Sequence, residues 1–330
     1  MINREVPCIE QHHTGRASVF RGDCVELIAG IPDDSIGLSV FSPPFASLYT
    51  YSDDPRDMGN CKDDSEFFGQ FRYLIKELYR VMMPGRIVAI HCMDLPTSKQ
   101  NHGYIGLRDF SGDIVRAMED GGFHYHCRTT IWKDPVTAMQ RTKALGLLHK
   151  TIRKDSARSR VGHPDYLLAF YKPGTNPEPI AHTAEEFPVA ADRNPNGVGW
   201  QQYASPVWTG DDETLDDRRI SGIAESFADA VWWDVNPSDT LQYRSAREHD
   251  DERHICPLQI PVIARSLDLW SNEGDVVLSP FAGIGSEGVT SLRLGRRFIG
   301  FELKGSYFRQ MCANLDAEDK QIGLFGVSDE

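Results

Sequence analysis

Two hydrophobic periodicities alternate along the chain. Short apolar or alternating runs are typical of strands, and they occur at 19–20, 36–41, 87–91, 123–132, 166–171, 275–278 and 298–301. Apolar residues that recur every three or four positions are typical of amphipathic helices, and they occur at 66–83, 110–118, 260–269, 287–294 and 306–315. The alternation of the two predicts an α/β sheet covered by helices on both faces.

Helix-breaking residues predict where some of the elements end. Pro84-Gly85 and Gly121-Gly122 are expected to end two of the helices. Between about 173 and 253 the periodicity weakens and Pro, Gly, Asn and Asp become frequent, so we expect loops and short elements beside the sheet. The tail after Asp316 is expected to fray.

The composition indicates the broad class of the protein. About 40% of the 330 residues are hydrophobic and 25% are charged, as in ordinary globular proteins. No apolar run approaches the roughly 20 residues of a membrane span, and residues 1–21 lack the apolar stretch of a secretory signal. The seven cysteines show no C-x-x-C spacing. We therefore expect a cytoplasmic protein with no metal site and no disulfide framework.

The net charge of −13 argues against a protein that binds nucleic acid over its whole surface, because phosphate binding needs Lys and Arg. The charge is unevenly distributed, however. Residues 141–160 contain one acid, Asp155, and seven basic residues, which are Arg141, Lys143, Lys150, Arg153, Lys154, Arg158 and Arg160. This basic stripe carries about +6 and leaves about −19 for the rest of the chain. Two interpretations stay open: a face that grips DNA, or a solvated helix face.

Residues 275–288 (DVVLSPFAGIGSEG) form a predicted strand, a glycine loop and a helix start. Gly283 and Gly285 would let the backbone approach a ligand closely, and the start of the helix offers free N–H groups to a carboxylate. Glu302 follows at the tip of the next predicted strand, where an acid can hold two ribose hydroxyls. The combination predicts a site for an adenosine-containing cofactor, although such a glycine pair also occurs in simple turns.

Two stretches of this region resemble a known family. Residues 280–285 (PFAGIG) and 295–302 (GRRFIGFE) are similar to the cofactor loop of amino-methylating DNA methyltransferases, where the loop begins D-P-F-x-G-x-G. Ser279 stands in the place of the usual Asp, so water or another residue is expected to make one contact to the methionine amino group. The resemblance implies that S-adenosylmethionine is the cofactor.

Ser42-Pro43-Pro44-Phe45 directly follows the apolar run 36–41 and matches the catalytic tetrapeptide of the same family, [D/N/S]-P-P-[Y/F/W]. The chemistry accounts for these residue types. An acceptor on Ser42 and the carbonyl of Pro43 can bind both hydrogens of an amino group, which draws the nitrogen lone pair out of conjugation with the base. Proline fixes that carbonyl in place, and Phe45 can stack on a base extruded from the duplex.

The family pattern extends to two further segments. Residues 21–24 (RGDC) resemble the family's G-D-C segment, which places Asp23 near the adenine amino group of the cofactor. A turn or helix-capping role is the alternative for that Asp. Residues 256–261 (CPLQIP) resemble the H-P-x-x-[K/F]-P segment, with Cys256 in place of His. The resemblance assigns the cofactor pocket to Asp23, Cys24, Pro257, Gln259, Ser279, Phe281, Gly283, Gly285, Ser286 and Glu302.

The order of the segments, catalytic first and cofactor last, is similar to the β group of these enzymes. The resemblance implies the Rossmann-like methyltransferase fold, α/β with a mostly parallel seven-stranded sheet and an inserted target-recognition region. We expect a catalytic half at 1–132, the recognition and DNA-binding region at 133–252, a cofactor half at 253–315 and a tail at 316–330. Within the recognition region, 163–171 is expected to close the core sheet.

The resemblance implies site-specific DNA methylation by base flipping and direct in-line transfer. Ser42 with Phe45 favours N4 of cytosine over N6 of adenine. Double-stranded DNA is the expected partner, in the cytoplasm of a bacterium or a phage host; a homodimer and a cognate restriction nuclease stay open. The rival interpretations are an RNA or protein methyltransferase and a catalytically inactive DNA-binding relative. His91, at the end of a predicted strand, could carry off a proton or be structural.

Overall fold

The computed structural model describes residues 8–45, 54–97, 99–132, 155, 163–181, 231–232, 235–236, 238–242, 246 and 257–325. In chain order their strands and helices are β1 (Glu10–His13), β2 (Ala17–Arg21), α1 (Cys24–Leu27), β3 (Ile36–Phe41), α2 (Asp64–Val81), β4 (Met82–Cys92), β5 (Leu95–Pro96), α3 (Lys99–His102), β6 (Leu107–Arg108), α4 (Phe110–Asp120), β7 (His124–Ile131), β8 (Asp165–Tyr171), β9 (Val231–Trp232), α5 (Ile260–Trp270), β10 (Val276–Ser279), α6 (Ser286–Arg293), β11 (Arg297–Glu302) and α7 (Gly305–Phe325).

One sheet organises this part of the chain, with the strand order β1-β2-β11-β10-β3-β4-β8-β7-β9. The central run from β2 to β4 is parallel, and β8 pairs antiparallel with β4 and β7. The predicted α/β architecture with a mainly parallel sheet is confirmed. Each of the seven predicted strands is present, and β1 and β9 extend the sheet at its two edges. β8, from the segment expected to close the core sheet, lies between β4 and β7.

Helices cover both faces of the sheet because successive strand residues point to opposite sides. On one face, Phe41 of β3 and Ile90 of β4 pack against apolar residues of α2 and α4. On the other face, Leu38 and Val40 of β3 pack against α5, α6 and α7. The result is a three-layer arrangement in which the strand ends, rather than the strand faces, are available to a ligand.

The two halves of the sequence meet at the centre of the sheet. β10, from the C-terminal half, lies parallel to β3, from the N-terminal half, with Val277 opposite Leu38. The Ser39 hydroxyl also donates to the Leu278 carbonyl at 3.0 Å. Parallel neighbours end at the same edge, so the segments after β3 and β10 share the carboxyl edge, which is where ligands bind in open α/β sheets.

A buried ion pair holds the opposite edge together. Arg86 of β4 is fully buried, and its Nη1 lies 3.1 Å from Oδ2 of Asp275, just before β10. The pair reaches across β3, where Gly37 leaves the necessary room: a Cβ there would lie 2.7 Å from Cγ of Asp275. This pair therefore joins the two halves of the chain far from the ligand edge.

Two boundaries differ from the sequence prediction. The tail was expected to fray after Asp316, but α7 continues to Phe325. Its acids have distant partners that a linear pattern cannot reveal: Asp316 Oδ1 lies 2.8 Å from His12 Nε2, and Glu318 Oε2 accepts from Arg293 Nε at 2.9 Å.

The other difference lies before β4. The helix predicted for 66–83 ends at Val81, and β4 already begins at Met82, before Pro84-Gly85. The Gly85 N–H donates to the Lys172 carbonyl at 2.8 Å. This long-range bond holds the segment extended, so the helix stops earlier than the breaker residues indicate.

Candidate active site

The tetrapeptide Ser42-Pro43-Pro44-Phe45 leaves the carboxyl end of β3. Pro43 is buried, and Ser42, Pro44 and Phe45 are half-buried, so the segment lines a surface instead of filling the core. The ring of Phe45 packs edge-to-face on Phe110, at the start of α4, with 6.4 Å between ring centroids. The segment is thus anchored at its far end by an aromatic contact while Ser42 lies at the rim.

Ser42 belongs to a chain of three polar side chains. Its Oγ lies 2.9 Å from Nδ1 of His91, and Nε2 of the same ring lies 3.0 Å from Oδ2 of Asp165. His91 is 6% exposed and Asp165 1% exposed, whereas Ser42 is half-buried. The chain therefore runs from the surface rim into the interior and ends on a buried carboxylate.

The strand register explains why these three residues meet. Phe41 lies opposite Ile90 in the parallel β3–β4 pair, so Ser42 and His91 are the next residues on neighbouring strands. β8 runs antiparallel to β4, with Leu167 opposite His91. Asp165 is two residues before Leu167 and so lies on the same face, within diagonal reach of the imidazole. Three segments distant in sequence are brought together by strand pairing alone.

Two other histidines, at the opposite edge of the sheet, and one acid that follows β4 have structural contacts. His124 Nδ1 lies 3.0 Å from the hydroxyl of Tyr171, and the ring of His126 packs edge-to-face on the same tyrosine. Asp94 Oδ1 accepts the Ser111 N–H at 3.1 Å in the first turn of α4. Among these residues, His91 is the one that contacts the tetrapeptide.

The glycine loop between β10 and α6 is held against the end of β11. The Ala282 N–H donates to the Phe301 carbonyl at 2.8 Å, and the Gly283 N–H donates to Glu302 Oε2 at 2.9 Å. Gly283 has φ +53° and Gly285 has φ +88°, both in the left-handed region that favours glycine.

The glycines of this loop serve different purposes. A Cβ on Gly283 would meet no atom within 4 Å, so this glycine borders open space. A Cβ on Gly285 would lie 2.9 Å from Met311 Cγ of α7, and one on Gly288 would lie 2.7 Å from Phe298 of β11. Gly283 therefore faces the region available to a ligand, whereas Gly285 and Gly288 allow close packing of α6 against its neighbours.

Three buried polar atoms around the loop lack hydrogen-bond partners in the part of the chain that the structure describes. They are Ser279 Oγ at the end of β10, Ser286 Oγ at the start of α6 and Gln259 Oε1 before α5. Such atoms are costly to bury unpaired, so they fit a polar ligand that completes their hydrogen bonds. Pro257 is half-buried and lies two residues from Gln259.

Two carboxyl groups near the loop are perturbed by burial. Glu302 accepts N–H groups from Gly283 and Lys304, and burial raises the pKa of Glu302 to about 7. Burial, with a smaller contribution from the charge of Glu302, raises the pKa of Glu287 in α6 to about 8. Glu302 is thus held at the tip of β11, with Oε2 bonded to the glycine loop and Oε1 bonded to the Lys304 N–H of the segment after β11.

The segment after β2 also lies at the carboxyl edge of the sheet, because β2 is parallel to its neighbour β11. Asp23 caps α1, where its Oδ1 accepts the Val25 N–H at 2.9 Å. Burial raises the pKa of Asp23, and the hydrogen bond from Val25 partly offsets this effect. Burial also raises the pKa of the Cys24 thiol well above its usual range. The capping role considered for Asp23 is present in the structure and is compatible with a ligand contact by its second oxygen.

An aromatic contact links the two loops. Phe281, in the glycine loop, packs against Phe41, the residue before Ser42, with ring centroids 5.7 Å apart. The contact therefore joins the glycine loop to the end of the strand that carries the tetrapeptide. The basic stripe from Arg141 to Arg160 lies outside the described residues.

Two residues of this region were missed by sequence reasoning. The sequence pattern places Asp165 only within 163–171, the segment expected to close the core sheet, although an acid that opens an otherwise apolar run (DYLLAF) is an unusual feature. Gly288 gives Gly283 and Gly285 the G-x-G-x-x-G spacing of dinucleotide sites. That spacing by itself does not distinguish the possible adenosine cofactors.

Comparison with known proteins decides the family. A family model described as "DNA methylase", of the N6/N4 type, matches residues 36–313. The chain belongs to this family of S-adenosylmethionine-dependent DNA methylases. In the methylase, the matched range runs from the first residue of β3 into α7 and so includes both the tetrapeptide and the glycine loop.

Individual relatives of the methylase are distant. It is 23% identical over 315 residues to the type II methyltransferase M.BamHI of Bacillus amyloliquefaciens, a match that covers 94% of this chain and 60% of the relative. The chain thus spans less than two thirds of that relative's length.

Two solved structures share the fold of the methylase. One is TTHA0409 of Thermus thermophilus, described as a putative DNA modification methylase complexed with S-adenosyl-L-methionine, with 20% identity, a TM-score of 0.57 and coverage of 92% of this chain and 96% of that one. The other is the PvuII DNA methyltransferase, described as cytosine-N4-specific, with 14% identity, a TM-score of 0.58 and coverage of 96% of each chain. None of the described helices is long and apolar enough to cross a bilayer.

Proposed function

We propose that this methylase transfers a methyl group from S-adenosylmethionine to the N4 amino group of cytosine in double-stranded DNA. The observation that carries the proposal is the position of Ser42-Pro43-Pro44-Phe45. The tetrapeptide leaves β3 at the carboxyl edge of the sheet, next to β10 and its glycine loop. A group that holds an amino nitrogen and a loop that fits a nucleoside cofactor therefore lie side by side.

The residues around the glycine loop fit S-adenosylmethionine. Its carboxylate would accept hydrogen bonds from the unpaired Ser286 hydroxyl and from the free N–H groups at the start of α6. Glu302 would accept the ribose hydroxyls, and Asp23 would accept the adenine amino group. The open space at Gly283 leaves room for the rest of the cofactor. The unpaired Ser279 and Gln259 side chains offer it further polar partners. When bound, the cofactor supplies an electrophilic methyl group on a positively charged sulfur.

The tetrapeptide would hold the target nitrogen. The Ser42 Oγ and the Pro43 carbonyl accept the two amino hydrogens, which makes the nitrogen lone pair available for attack. Direct transfer of this kind depends on positioning more than on strong acid–base groups. Phe45 would stack on the extruded base, and its contact with Phe110 keeps the ring in place.

The choice of cytosine-N4 is supported by the serine and phenylalanine of the tetrapeptide and by the PvuII enzyme, which shares the fold and is described as cytosine-N4-specific. Adenine-N6 is the second candidate, because the family model covers both types and the same two acceptors can bind either amino group. A serine hydroxyl is a neutral acceptor, and a carboxylate would pull harder on an amino proton. The rim of the pocket must therefore select the base.

Recognition of DNA is assigned in this proposal to the region 133–252, with the basic stripe at 141–160 as its phosphate-binding part. The composition supports this assignment, since the stripe concentrates positive charge on an otherwise acidic chain. The proposed setting is the cytoplasm of a bacterium or of a phage host. A second copy of the chain and a cognate restriction nuclease are partners that the proposal leaves for experiment.

The experiment is transfer of tritiated methyl groups from S-adenosylmethionine to unmethylated duplex DNA, with RNA and protein substrates assayed in parallel. We expect incorporation into DNA alone, and loss of most turnover in Ser42→Ala with little change in cofactor affinity. The matched control is Ser35→Ala, at the other end of the same strand, where the hydroxyl donates to the Pro32 carbonyl. Incorporation into RNA or protein, or full activity of Ser42→Ala, would contradict the proposal.

A further inference from the structure

We propose that His91 and Asp165 are positioning residues that fix the direction of the Ser42 hydroxyl and accept the proton released from the target amino group. The inference rests on the proposed amino methylation and adds to it. Its basis is the chain of contacts from Ser42 Oγ to His91 Nδ1, at 2.9 Å, and from His91 Nε2 to Asp165 Oδ2, at 3.0 Å.

The buried carboxylate determines the tautomer of the imidazole. A carboxylate accepts hydrogen bonds and does not donate them, so Asp165 holds the ring proton on Nε2. Nδ1 is then unprotonated and accepts the Ser42 O–H. The hydroxyl proton points away from the substrate, and the lone pairs of Oγ are left for an amino hydrogen. Without this arrangement a hydroxyl is free to rotate and can present its proton to the substrate instead.

Burial argues for a purpose beyond packing. His91 and Asp165 lie on the same faces of their strands as Ala89 and Leu167, where another apolar pair would extend the core. A buried polar pair stabilises less than an apolar pair of similar volume in many proteins. The described contacts link this pair to the surface rim through Ser42, the residue that the proposed chemistry requires.

The neighbouring charged groups have contacts of their own. On β7, the Arg128 guanidinium lies 4.8 Å from the centre of the Tyr166 ring of β8. Asp94, which follows β4, accepts the Ser111 N–H. Asp165 is therefore the carboxylate that lies within hydrogen-bonding distance of the imidazole among these groups.

The proton balance follows from the contacts. Once the new N–C bond has formed, the methylated nitrogen carries a positive charge and one proton too many. The N–H bond breaks and its electron pair stays on nitrogen. The proton passes to Ser42 Oγ while the hydroxyl proton passes to His91 Nδ1. The serine is unchanged, and the imidazolium is stabilised by the Asp165 carboxylate until it releases its proton to water.

The first test needs neither DNA nor cofactor. A long-range ¹H–¹⁵N correlation spectrum of the ¹⁵N-labelled protein reports which ring nitrogen of each histidine is protonated. His91 is assigned by its absence in the spectrum of His91→Gln. We expect His91 to be protonated on Nε2 with Nδ1 unprotonated at neutral pH, and Asp165→Asn to change this pattern. Protonation on Nδ1 in the wild-type protein would overturn the proposal.

The second test is kinetic. His91→Ala and Asp165→Asn are each expected to lower kcat by about 100-fold or more, the range of a lost proton acceptor, with KM for DNA and for S-adenosylmethionine unchanged. The double variant should be no slower than His91→Ala, because the two residues act as a unit. The matched control is His12→Gln, which removes a histidine paired with Asp316 in another part of the sheet and should retain full kcat.

The outcomes separate this inference from the proposed function. Full kcat in Asp165→Asn, alongside loss of turnover in Ser42→Ala, would overturn the inference and leave amino methylation standing. If the wild-type protein transfers no methyl group, the proposed function fails, and the tautomer spectrum still decides the hydrogen-bond chain. If His91→Ala does not fold, Asp165→Asn, which keeps the shape of the side chain, supplies the kinetic result.

Discussion

Glu302 shows how one half-buried side chain can make cofactor binding sensitive to pH. Its pKa is raised to about 7 by burial, so at pH 6 the folded protein holds this carboxyl mainly protonated. Hydrogen bonds from ribose hydroxyls favour the ionised form, which is the better acceptor. A ligand that prefers the ionised form binds more tightly as the pH rises through that pKa.

We therefore expect the affinity for S-adenosylmethionine to increase between pH 6 and pH 8, and the dependence to flatten in Glu302→Gln. Titration calorimetry at both pH values measures this directly. Glu302→Gln should also weaken binding at pH 8 by about 1–3 kcal/mol through loss of charged hydrogen bonds. An affinity that is equal at the two pH values would show that Glu302 does not contact the ribose.

The glycines of the loop give a second prediction at this scale. Gly283→Ala should fold at a cost of about 1–2 kcal/mol for its left-handed backbone, but lose cofactor affinity, because its Cβ enters the open space of the loop. Gly285→Ala should mainly lower stability, since its Cβ would meet Met311. Melting temperature and cofactor affinity, measured for both variants, separate the two effects. Equal loss of stability in both would contradict the assignment.

For individual residues, the sequence predicts which residue types lie at the site better than it predicts their contacts. Ser42, the glycine loop and Glu302 lie at the carboxyl edge because each follows a recognisable strand. Asp165 could not be placed, because its importance depends on the antiparallel register of β8 against β4. No local pattern specifies which strand β8 pairs with, or at which residue.

At the scale of elements, the Arg86–Asp275 pair ties β4 to the start of β10 across β3. Arg86 is fully buried, and its other carboxylate neighbour, Glu178, is exposed and 3.8 Å away, so removal of the Asp275 charge leaves the buried cation with only this distant, solvent-screened partner. Asp275→Asn should lower the free energy of unfolding by about 3–5 kcal/mol. Because the pair lies at the edge opposite the site, the folded variant should still bind the cofactor.

Urea denaturation followed by circular dichroism measures this effect. The matched control is Arg116→Ala, which breaks an exposed ion pair with Asp113 on α4 and should leave the unfolding midpoint unchanged. A wild-type midpoint in Asp275→Asn would mean that the two halves of the sheet are held together by other contacts.

Most elements follow from periodicity, but their order in the sheet does not. The apolar runs identify seven strands, and a helix–strand alternation indicates parallel pairing. The adjacency of β3 and β10 cannot be read from these runs, because the two strands lie far apart in the chain. The persistence of α7 to Phe325 likewise depends on partners in β1 and α6.

At the scale of the whole molecule, positive charge is concentrated in the basic stripe, which is proposed to bind DNA phosphates, and the rest of the chain is acidic. Replacement of Arg153, Lys154, Arg158 and Arg160 by Ala should weaken DNA binding and reduce the salt dependence by about one unit of slope per lost phosphate contact. Cofactor affinity should not change. The control replaces Arg72 and Lys76, which are exposed on α2. A slope unchanged by the four substitutions would make the stripe a solvated face.

The central claim is that this chain methylates an exocyclic amino group of DNA, and mass spectrometry of nucleosides tests it most directly. Unmethylated duplex DNA is incubated with the purified protein and S-adenosylmethionine, digested and compared with DNA treated with Ser42→Ala. The account predicts N4-methylcytosine in the first sample and not in the second. N6-methyladenine in its place would contradict the choice of base, and DNA without any methylated amino group would contradict the account itself.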